Sequence, residues 1–205
     1  MSARKGQESE RIVLALLAAG RSSRMGSPKS LLEIDGERAL ARLLRFARAC
    51  ALEPLVVLGF DAERVRAGVA LDGVQLVVNP RPERGQSSSV RAAAQALASP
   101  ASFALLPVDH ARLREATLRK LAEAFRVREP GVAIVVPSYR GRRGHPLFGD
   151  DGVRCEFAAL ADDEPAHVVV RRDARRILHV EVDDPAVVED LDTPDDLRRA
   201  PRGRT

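Results

Sequence analysis

The sequence predicts an α/β fold in which a predominantly parallel sheet carries helices on both faces. Short, uniformly apolar runs such as residues 12–17 are typical of strands that are buried on both sides. They alternate with amphipathic segments such as residues 39–49, where leucines and Phe46 recur at helical spacing opposite a row of arginines. Strands and helices that alternate in this way form parallel sheets through right-handed crossovers.

The individual elements follow from the same patterns in chain order. Apolar runs predict strands at residues 12–17, 55–58, 74–78, 103–106, 133–136 and 177–182. Helices are expected at residues 39–49, after Asp61, at 90–98 and at 113–126, with short helices between 153 and 176. Asp61 suits a helix N-cap. Asp192 or Thr193 can cap a last helix, which has Pro194 in its first turn.

The length of 205 residues suits one domain with a substantial core. We expect a disordered leader at residues 1–10, one domain at 11–200 and a frayed tail at 201–205. Two distant cysteines, Cys50 and Cys155, predict neither a disulfide framework nor a zinc site. The polar start lacks the apolar segment of a signal peptide, and no apolar run approaches the roughly 20 residues of a membrane span. A cytoplasmic location is therefore expected.

Composition argues against nucleic acid and membrane surfaces as partners. The formal charge is +4, but the arginines are scattered among acids and no long run of like charge occurs within the domain. Aromatic residues make up only 3% of the chain, which disfavours a base-stacking surface for single-stranded nucleic acid. Only three of the 33 basic residues are lysines, so Lys29 in a conspicuous loop suggests a compact point charge at that position.

The first loop follows the strand at residues 12–17 and changes abruptly from apolar to small and cationic. Ala18, Ala19 and Gly20 leave the backbone open to a ligand, and Arg24 and Lys29 supply positive charge. Open α/β sheets bind ligands at such carboxyl ends of strands. The spacing fits neither the Walker A loop nor the dinucleotide G-x-G-x-x-G fingerprint. An ordinary strand-to-helix loop is the competing interpretation.

This loop resembles the L-A-A-G-x-S-x-R-M-G-x-x-K signature of the MobA-like nucleotidyltransferases, and it looks closest to the molybdenum cofactor cytidylyltransferase branch. The resemblance covers about residues 11–199. It implies a three-layer, Rossmann-like nucleotidyltransferase fold with a mostly parallel, mixed sheet. It also implies that the loop wraps the triphosphate and touches the base through Leu17, Ala18, Ala19, Gly20, Arg24 and Lys29. By the same resemblance, Arg24, Lys29 and Asp109 are the catalytic residues.

A second loop, residues 79–89, runs into the alanine-rich helix and has the family's N-x-x-x-x-x-G-x-x-S-S spacing. The resemblance gives this segment a part in base and ribose recognition, through Asn79, Gly85 and Ser88. Serines that cap the helix N-terminus are the alternative explanation. Three serines in a row exceed what one cap needs.

Two carboxylates stand at positions that the resemblance assigns to a metal ion. Asp109 ends the fourth strand in an L-P-x-D motif, and Asp192 lies in the closing D-L-D-T-P-D-D-L segment. Mg²⁺ prefers oxygen ligands and is bound through one or two carboxylates together with substrate phosphates. Helix capping is the alternative role for both residues. His110 has no partner histidine nearby in sequence and is expected to be a bystander.

A cationic turn at residues 137–148 resembles the family's G-x-R-G-[HN]-P segment, which lines the acceptor side of the site. The resemblance assigns acceptor binding to Arg143, Gly144 and His145. Anionic acceptors need cations, and this turn carries three arginines. A surface turn with arginines placed by chance is the alternative.

The expected reaction transfers CMP from CTP to the terminal phosphate of molybdenum-loaded molybdopterin, giving molybdopterin cytosine dinucleotide and pyrophosphate. Mg²⁺ is the expected cofactor, and a transient contact with the molybdenum enzyme or chaperone that receives the product is expected. The methyl group of Ala19, where guanylyl-transferring relatives have glycine, favours a pyrimidine over a purine. The alternatives are a GTP-using or other-acceptor transferase, a non-catalytic nucleotide-binding regulator and, least favoured, a basic RNA-binding module.

Overall fold

The computed structural model of the protein describes residues 11–22 and 25–199. The expected leader at 1–10, the tail at 201–205 and the predicted catalytic Arg24 lie outside the described residues. The strands are β1 Ile12–Ala18, β2 Glu33–Ile34, β3 Glu37–Arg38, β4 Glu53–Leu58, β5 Gln75–Val78, β6 Ser102–Pro107, β7 Ile134–Tyr139, β8 Arg142–Arg143, β9 Leu147–Gly149 and β10 Ile177–Glu181. The α-helices are α1 Ala39–Ala49, α2 Ala62–Gly68, α3 Gln86–Ala96, α4 Glu115–Arg126, α5 Asp151–Ala158, α6 His167–Arg171 and α7 Pro194–Arg199.

The main sheet is mixed and mostly parallel, as predicted. Its strand order is β10-β7-β9-β6-β1-β4-β5, and β8 pairs with β7 beside this path. β1 pairs in parallel with both β4 and β6, and β10 pairs in parallel with β7. β9 is antiparallel to both of its neighbours, β6 and β7. The short pair β2 and β3 forms a separate antiparallel hairpin.

Two hydrophobic clusters cover the two faces of this sheet and make three layers. β1 contributes to both, because Leu14 and Leu16 face one cluster whereas Ala15 and Leu17 face the other. The first cluster packs against α1 and α4, and the second packs against α3, α5 and α6. A strand that is buried on both faces has apolar residues at consecutive positions, and this is why β1 could be predicted from the sequence.

The starts of three helices can be compared with the sequence-based expectations. α3 begins at Gln86 rather than at residue 90, so the serines lie inside its first turn. Asp61 occupies the N-cap position of α2 but makes no capping hydrogen bond with its side chain. Thr193 caps α7 as one of the two expected residues. Its Oγ1 accepts a hydrogen bond from the Asp196 backbone N–H, while the Asp196 carboxylate accepts one from the Thr193 backbone N–H.

The strand order reverses direction at β1. The chain runs from β1 outward to β4 and β5, then returns to the other side of β1 as β6. The loops that leave β1 and β6 therefore diverge and open a crevice at the carboxyl ends of these strands. None of the helices in the described part of the chain combines the length and apolar character needed to cross a bilayer.

Candidate active site

Two adjoining cavities lie in the crevice beyond β1 and β6. The larger has a volume of about 570 Å³ and the smaller about 220 Å³. Leu17, Gly20, Arg21 and Asp109 line both, so the cavities form one continuous space at the switch point of the sheet. The larger cavity extends over the second loop, and the smaller lies over Lys29 and Asp192.

The first loop is closed by hydrogen bonds of Ser22. Its Oγ accepts a bond from the Lys29 backbone N–H at 3.0 Å, and its carbonyl accepts one from the Met25 N–H at 3.0 Å. Ser22 has a φ of 50°, a left-handed conformation that tightens the turn. Gly20 is open to the cavity, because a Cβ placed there would meet nothing within 4 Å. The loop therefore leaves free space directly above its backbone.

Ala19 and Gly59 pack against each other beneath the larger cavity. A Cβ on Gly59 would lie 2.7 Å from the Ala19 Cβ and would overlap the Ala19 carbonyl oxygen. Ala19 is only 4% exposed. The small residues at the ends of β1 and β4 thus set how closely these two strands approach at the floor of the cavity.

Lys29 joins the two carboxylates that the sequence analysis selected. Its Nζ lies 3.1 Å from Asp109 Oδ2 and 2.6 Å from Asp192 Oδ1. Burial disfavours the charged lysine, but the hydrogen bond with Asp192 and the charge of Asp109 outweigh burial and raise the lysine pKa. Asp109 and Asp192 follow Lys29 by 80 and 163 positions in sequence, and the fold brings both carboxylates to the ammonium group of Lys29.

A buried histidine and a third carboxylate lie close to Asp109. His110 Nε2 lies 3.1 Å from Asp190 Oδ1 and 4.0 Å from Asp109 Oδ1, and its Nδ1 lies 2.9 Å from the Ala186 carbonyl. Burial opposes a charge on His110, but the hydrogen bond to Asp190 outweighs it and raises the histidine pKa. The same bond lowers the Asp190 pKa. Asp190 was not among the predicted site residues, although it lies two residues before Asp192 in the same acidic segment.

The second loop is held from below by Asn79, which is 3% exposed. Its Nδ2 donates to Ser88 Oγ at 2.7 Å and to Ser89 Oγ at 3.0 Å, and its Oδ1 accepts from the Arg81 N–H at 2.9 Å. Gly85 and Ser89 line the larger cavity. Asn79 and Ser88 do not line either cavity, so the structure places them as supports of the loop.

Arg21 and Phe60 form a pair at the mouth of the larger cavity. The Arg21 guanidinium carbon lies 4.6 Å from the centre of the Phe60 ring, within the range of a cation–π contact. Phe60 is 39% exposed, which is unusual in a chain with so few aromatic residues. Arg21 occupies a variable position of the family signature, so the motif gave no reason to select it.

The predicted acceptor turn lies against the segment that precedes Asp190. Arg143 is exposed on β8. A Cβ on Gly144 would overlap the Val187 carbonyl oxygen, so only glycine fits this approach. The His145 ring lies 4.9 Å from the His110 ring, and its Nδ1 is buried without a hydrogen-bond partner among the described residues. Burial, reinforced by the charge of His110, lowers the His145 pKa to about 4.

Three known proteins that resemble this chain bear on its family. The bifunctional protein GlmU of Burkholderia thailandensis is 39% identical over 125 residues, which cover 60% of this chain and 27% of GlmU. The chain thus spans about a quarter of that relative. Nicotine blue oxidoreductase of Paenarthrobacter nicotinovorans is 30% identical over 195 residues, covering 90% of this chain and 93% of the relative.

Among solved structures, Rv0371c from Mycobacterium tuberculosis H37Rv superimposes with a TM-score of 0.76 and 33% identity, over 93% of this chain and 97% of that one. A manganese complex of Rv0371c matches with a TM-score of 0.72 and 31% identity, over 92% and 97% of the two chains. The family model for the MobA-like NTP transferase domain matches residues 14–180, which include the first loop, the second loop and Asp109. The chain belongs to the MobA-like NTP transferase family.

Proposed function

We propose that the chain transfers CMP from CTP to the terminal phosphate of molybdenum-loaded molybdopterin, giving molybdopterin cytosine dinucleotide and pyrophosphate. The observation that carries this proposal is the meeting of Lys29, Asp109 and Asp192 beside an open loop of small residues. A cation and two carboxylates are the groups that a metal-bound triphosphate needs. We place the reaction in the cytoplasm, with a transient contact to the molybdenum enzyme or chaperone that receives the product.

The chemistry requires positioning rather than a protein nucleophile. An oxygen of the acceptor phosphate attacks the α-phosphorus of CTP, and the bond to the bridging oxygen breaks so that pyrophosphate leaves with the electron pair. The acceptor phosphate is already ionised near neutral pH, so no general base is needed. Lys29 on the loop, with Arg24 as a further proposed ligand, would neutralise charge on the triphosphate and align it for attack.

The carboxylates fit a metal ion on the evidence of an unsatisfied atom. Asp109 Oδ1 is buried and makes no hydrogen bond to any described residue. A buried carboxylate oxygen without a hydrogen-bond partner destabilises the folded chain, and a bound cation would offset this cost. We propose that Asp109 and Asp192 hold Mg²⁺, which would supply positive charge to the phosphate oxygens. The manganese complex of Rv0371c, a relative of 31% identity, supports a divalent ion in this fold.

The larger cavity is the proposed nucleotide site. Leu17, Ala19 and Gly20 of the first loop and Gly85 of the second loop line it. The backbone next to Ala18 would complete the contacts of the first loop with the nucleotide. Asn79 and Ser88 would act indirectly, by holding the second loop in place. The exposed ring of Phe60 offers a face for the base. The methyl group of Ala19 narrows the floor, which favours the one-ring cytosine.

The acceptor is proposed to enter from the turn that carries Arg143, Gly144 and His145. Arg143 is exposed and would offer positive charge to an anionic acceptor, although none of the three residues lines either cavity. Gly144 and His145 are anchored to the 185–188 segment, because the His145 backbone N–H donates to the Val187 carbonyl at 2.8 Å. This anchoring gives the turn a fixed position relative to Asp190 and Asp192.

The decisive experiment offers the full chain equal CTP and GTP with molybdopterin and Mg²⁺, and identifies the dinucleotide by mass. Cytosine dinucleotide should predominate. One methyl group is worth about 1–3 kcal/mol of discrimination, so Ala19→Gly should relax the preference rather than reverse it. Predominant guanine dinucleotide from the unmodified chain would overturn the choice of CTP. Ala158→Gly, on α5 away from both cavities, serves as the control for a lost methyl group.

The relative named nicotine blue oxidoreductase gives a second candidate function, because its 30% identity extends over 90% of this chain. An oxidoreductase needs an electron donor or acceptor as co-substrate, and the larger cavity would have to accept it in place of CTP. Incubation with NADH or NADPH and a quinonoid dye tests this directly. Dye-dependent oxidation of the nicotinamide, without pyrophosphate release from CTP, would favour the oxidoreductase.

A further inference from the structure

A single carboxylate gathers three arginines beside the second loop. Asp162, which lies between α5 and α6, contacts the guanidinium groups of Arg81, Arg84 and Arg91. Arg81 bonds to both carboxylate oxygens through its two terminal nitrogens, in the paired geometry that makes arginine–carboxylate contacts directional. Arg84 Nη1 lies 3.2 Å from Oδ2, and Arg91 Nη2 bonds to Oδ1. Three positive charges thus share one negative partner.

The segment around Asp162 is attached to the second loop and to α3 at two further points. Arg91 also donates to the Leu160 carbonyl at 3.1 Å, and the Ala166 backbone N–H donates to Ser87 Oγ at 2.9 Å. The Arg91 side chain is only 15% exposed, so part of this network is shielded from the solvent that weakens surface ion pairs. The hydrogen bonds from Arg91 and Arg81 hold the pKa of Asp162 below its ordinary value, so the carboxylate is charged near neutral pH.

The second loop presents different residues to the larger cavity and to Asp162. Pro82, Glu83, Gly85 and Gln86 line the cavity, whereas Asp162 and its three arginines line neither cavity. The cavity-lining residues alternate in sequence with the arginines that contact Asp162. A shift of these arginines would therefore move the cavity wall with them.

The short 3-10 helix Pro82–Arg84 lies between two attachments. At its start, the Arg81 backbone N–H donates to Asn79 Oδ1 at 2.9 Å. At its end, the Arg84 side chain reaches Asp162. A helix of three residues fixes its own shape, but its internal hydrogen bonds do not fix its place in the domain. These attachments to other parts of the chain set where the cavity wall lies.

We propose that Asp162 is a positioning residue of the nucleotide site, which holds the second loop in place through Arg81, Arg84 and Arg91. Without this carboxylate, three like charges would repel one another and the loop would lose its attachment at this point. This role rests on the proposed nucleotide site and extends it to a residue that touches neither cavity. Asp162 acts on the substrate only through the loop, so its loss should weaken nucleotide binding more than it slows the reaction of bound nucleotide.

The test compares Asp162→Asn with Asp162→Glu in the full chain. Asp162→Asn should raise the KM for CTP, and the dissociation constant of CTP without acceptor, by about tenfold, while kcat stays within about twofold. Asp162→Glu keeps a carboxylate and should restore most of this loss. Hydrogen exchange at the Gly85 amide, measured without nucleotide, should accelerate about tenfold in Asp162→Asn.

Glu156→Gln is the matched control. Glu156 on α5 also holds two arginines, Arg172 and Arg176, and it lines neither cavity. Its loss should change neither exchange in the second loop nor the constants for CTP. Arg84→Gln removes one of the three contacts with Asp162, at a half-exposed arginine, and should shift both measurements in the same direction as Asp162→Asn by a smaller factor.

Unchanged exchange at the Gly85 amide in Asp162→Asn would overturn the assignment, as would faster exchange with unchanged CTP binding. An equal loss in Asp162→Asn and Asp162→Glu would overturn it as well, because the charge of the carboxylate would then not matter. If Asp162→Asn fails to fold, Arg84→Gln carries the test with the same readouts. Faster exchange in a chain that transfers no CMP would leave Asp162 as the residue that holds the loop and remove only the proposed function.

Discussion

At the scale of single residues, the site depends on side chains that are held in place by specific hydrogen bonds. Lys29 bonds to both Asp109 and Asp192. The three serines of the second loop are also engaged: Ser87 accepts from the Ala166 N–H, and Ser88 and Ser89 accept from Asn79. Residue types alone could not separate these supporting roles from ligand binding. The sequence does not show whether a serine side chain is buried in a hydrogen-bond network or faces the cavity.

Lys29→Ala should lower turnover by about a hundredfold, which is the usual effect of removing one group that stabilises developing charge. The chain should stay folded, since both carboxylates keep some contact with solvent. Lys29→Arg should also be impaired, because a planar guanidinium does not replace a compact ammonium. Turnover and nucleotide affinity are measured together. Lys120→Ala, at another lysine, is the control, and full activity of Lys29→Ala at low CTP would contradict the assigned role.

Gly20 and Gly59 should respond to alanine in opposite ways. Gly20→Ala adds a methyl group to open cavity space, so nucleotide affinity should fall about tenfold while the free energy of unfolding changes by less than about 0.5 kcal/mol. Gly59→Ala forces overlap with Ala19 and should cost about 1–3 kcal/mol of stability. Chemical denaturation and nucleotide titration of both variants check this. Equal effects on stability would show that the cavity floor is not as described.

At the scale of elements, the site is built from strand ends and the loops that follow them. β1 and β6 were predictable because their apolar runs are buried at nearly every position. β9 was harder, since three residues give too short a pattern to reveal an antiparallel strand between two longer ones. The nearness of Asp190 and His110 was not predictable from spacing, because 80 residues of chain separate them and only the fold sets their distance.

The second loop should lose its shape without its buried amide. Asn79→Ala leaves two serine hydroxyls and the Arg81 N–H without this partner, which should lower the free energy of unfolding by about 1–3 kcal/mol. Nucleotide affinity should fall as well, although Asn79 does not line a cavity. Thermal melting and nucleotide titration are the measurements. Gln95→Ala removes an exposed amide from α3 and should change neither.

At the scale of the whole molecule, acid should destabilise the chain through His145. Its pKa falls from 6.5 to about 4 on folding, so between these values the unfolded chain binds a proton that the native chain excludes. The free energy of unfolding should therefore drop by about 2 kcal/mol between about pH 7 and pH 5 from this group alone. The raised pKa of His110 acts in the opposite direction, because that stabilisation is complete in acid and is lost as pH rises through the raised value.

Denaturation at several pH values checks this prediction. His145→Gln removes the titrating group and should flatten the acid side of the stability curve, whatever its effect at neutral pH. His167→Gln, at an exposed histidine, should leave the slope of the wild-type chain unchanged. A wild-type slope that persists in His145→Gln would assign the acid sensitivity to other groups.

The antiparallel insertion of β9 has a consequence for synthesis on the ribosome. β6 pairs with β1 along one side, and its other side is covered only by β9, which emerges about forty residues later. Until then the nascent chain carries an apolar strand with an uncovered edge, the feature that recruits other strands into aggregates. Three residues, Leu147–Gly149, close this edge. Cells that make the protein quickly should therefore depend on chaperones during that interval, and slower translation should improve the soluble yield.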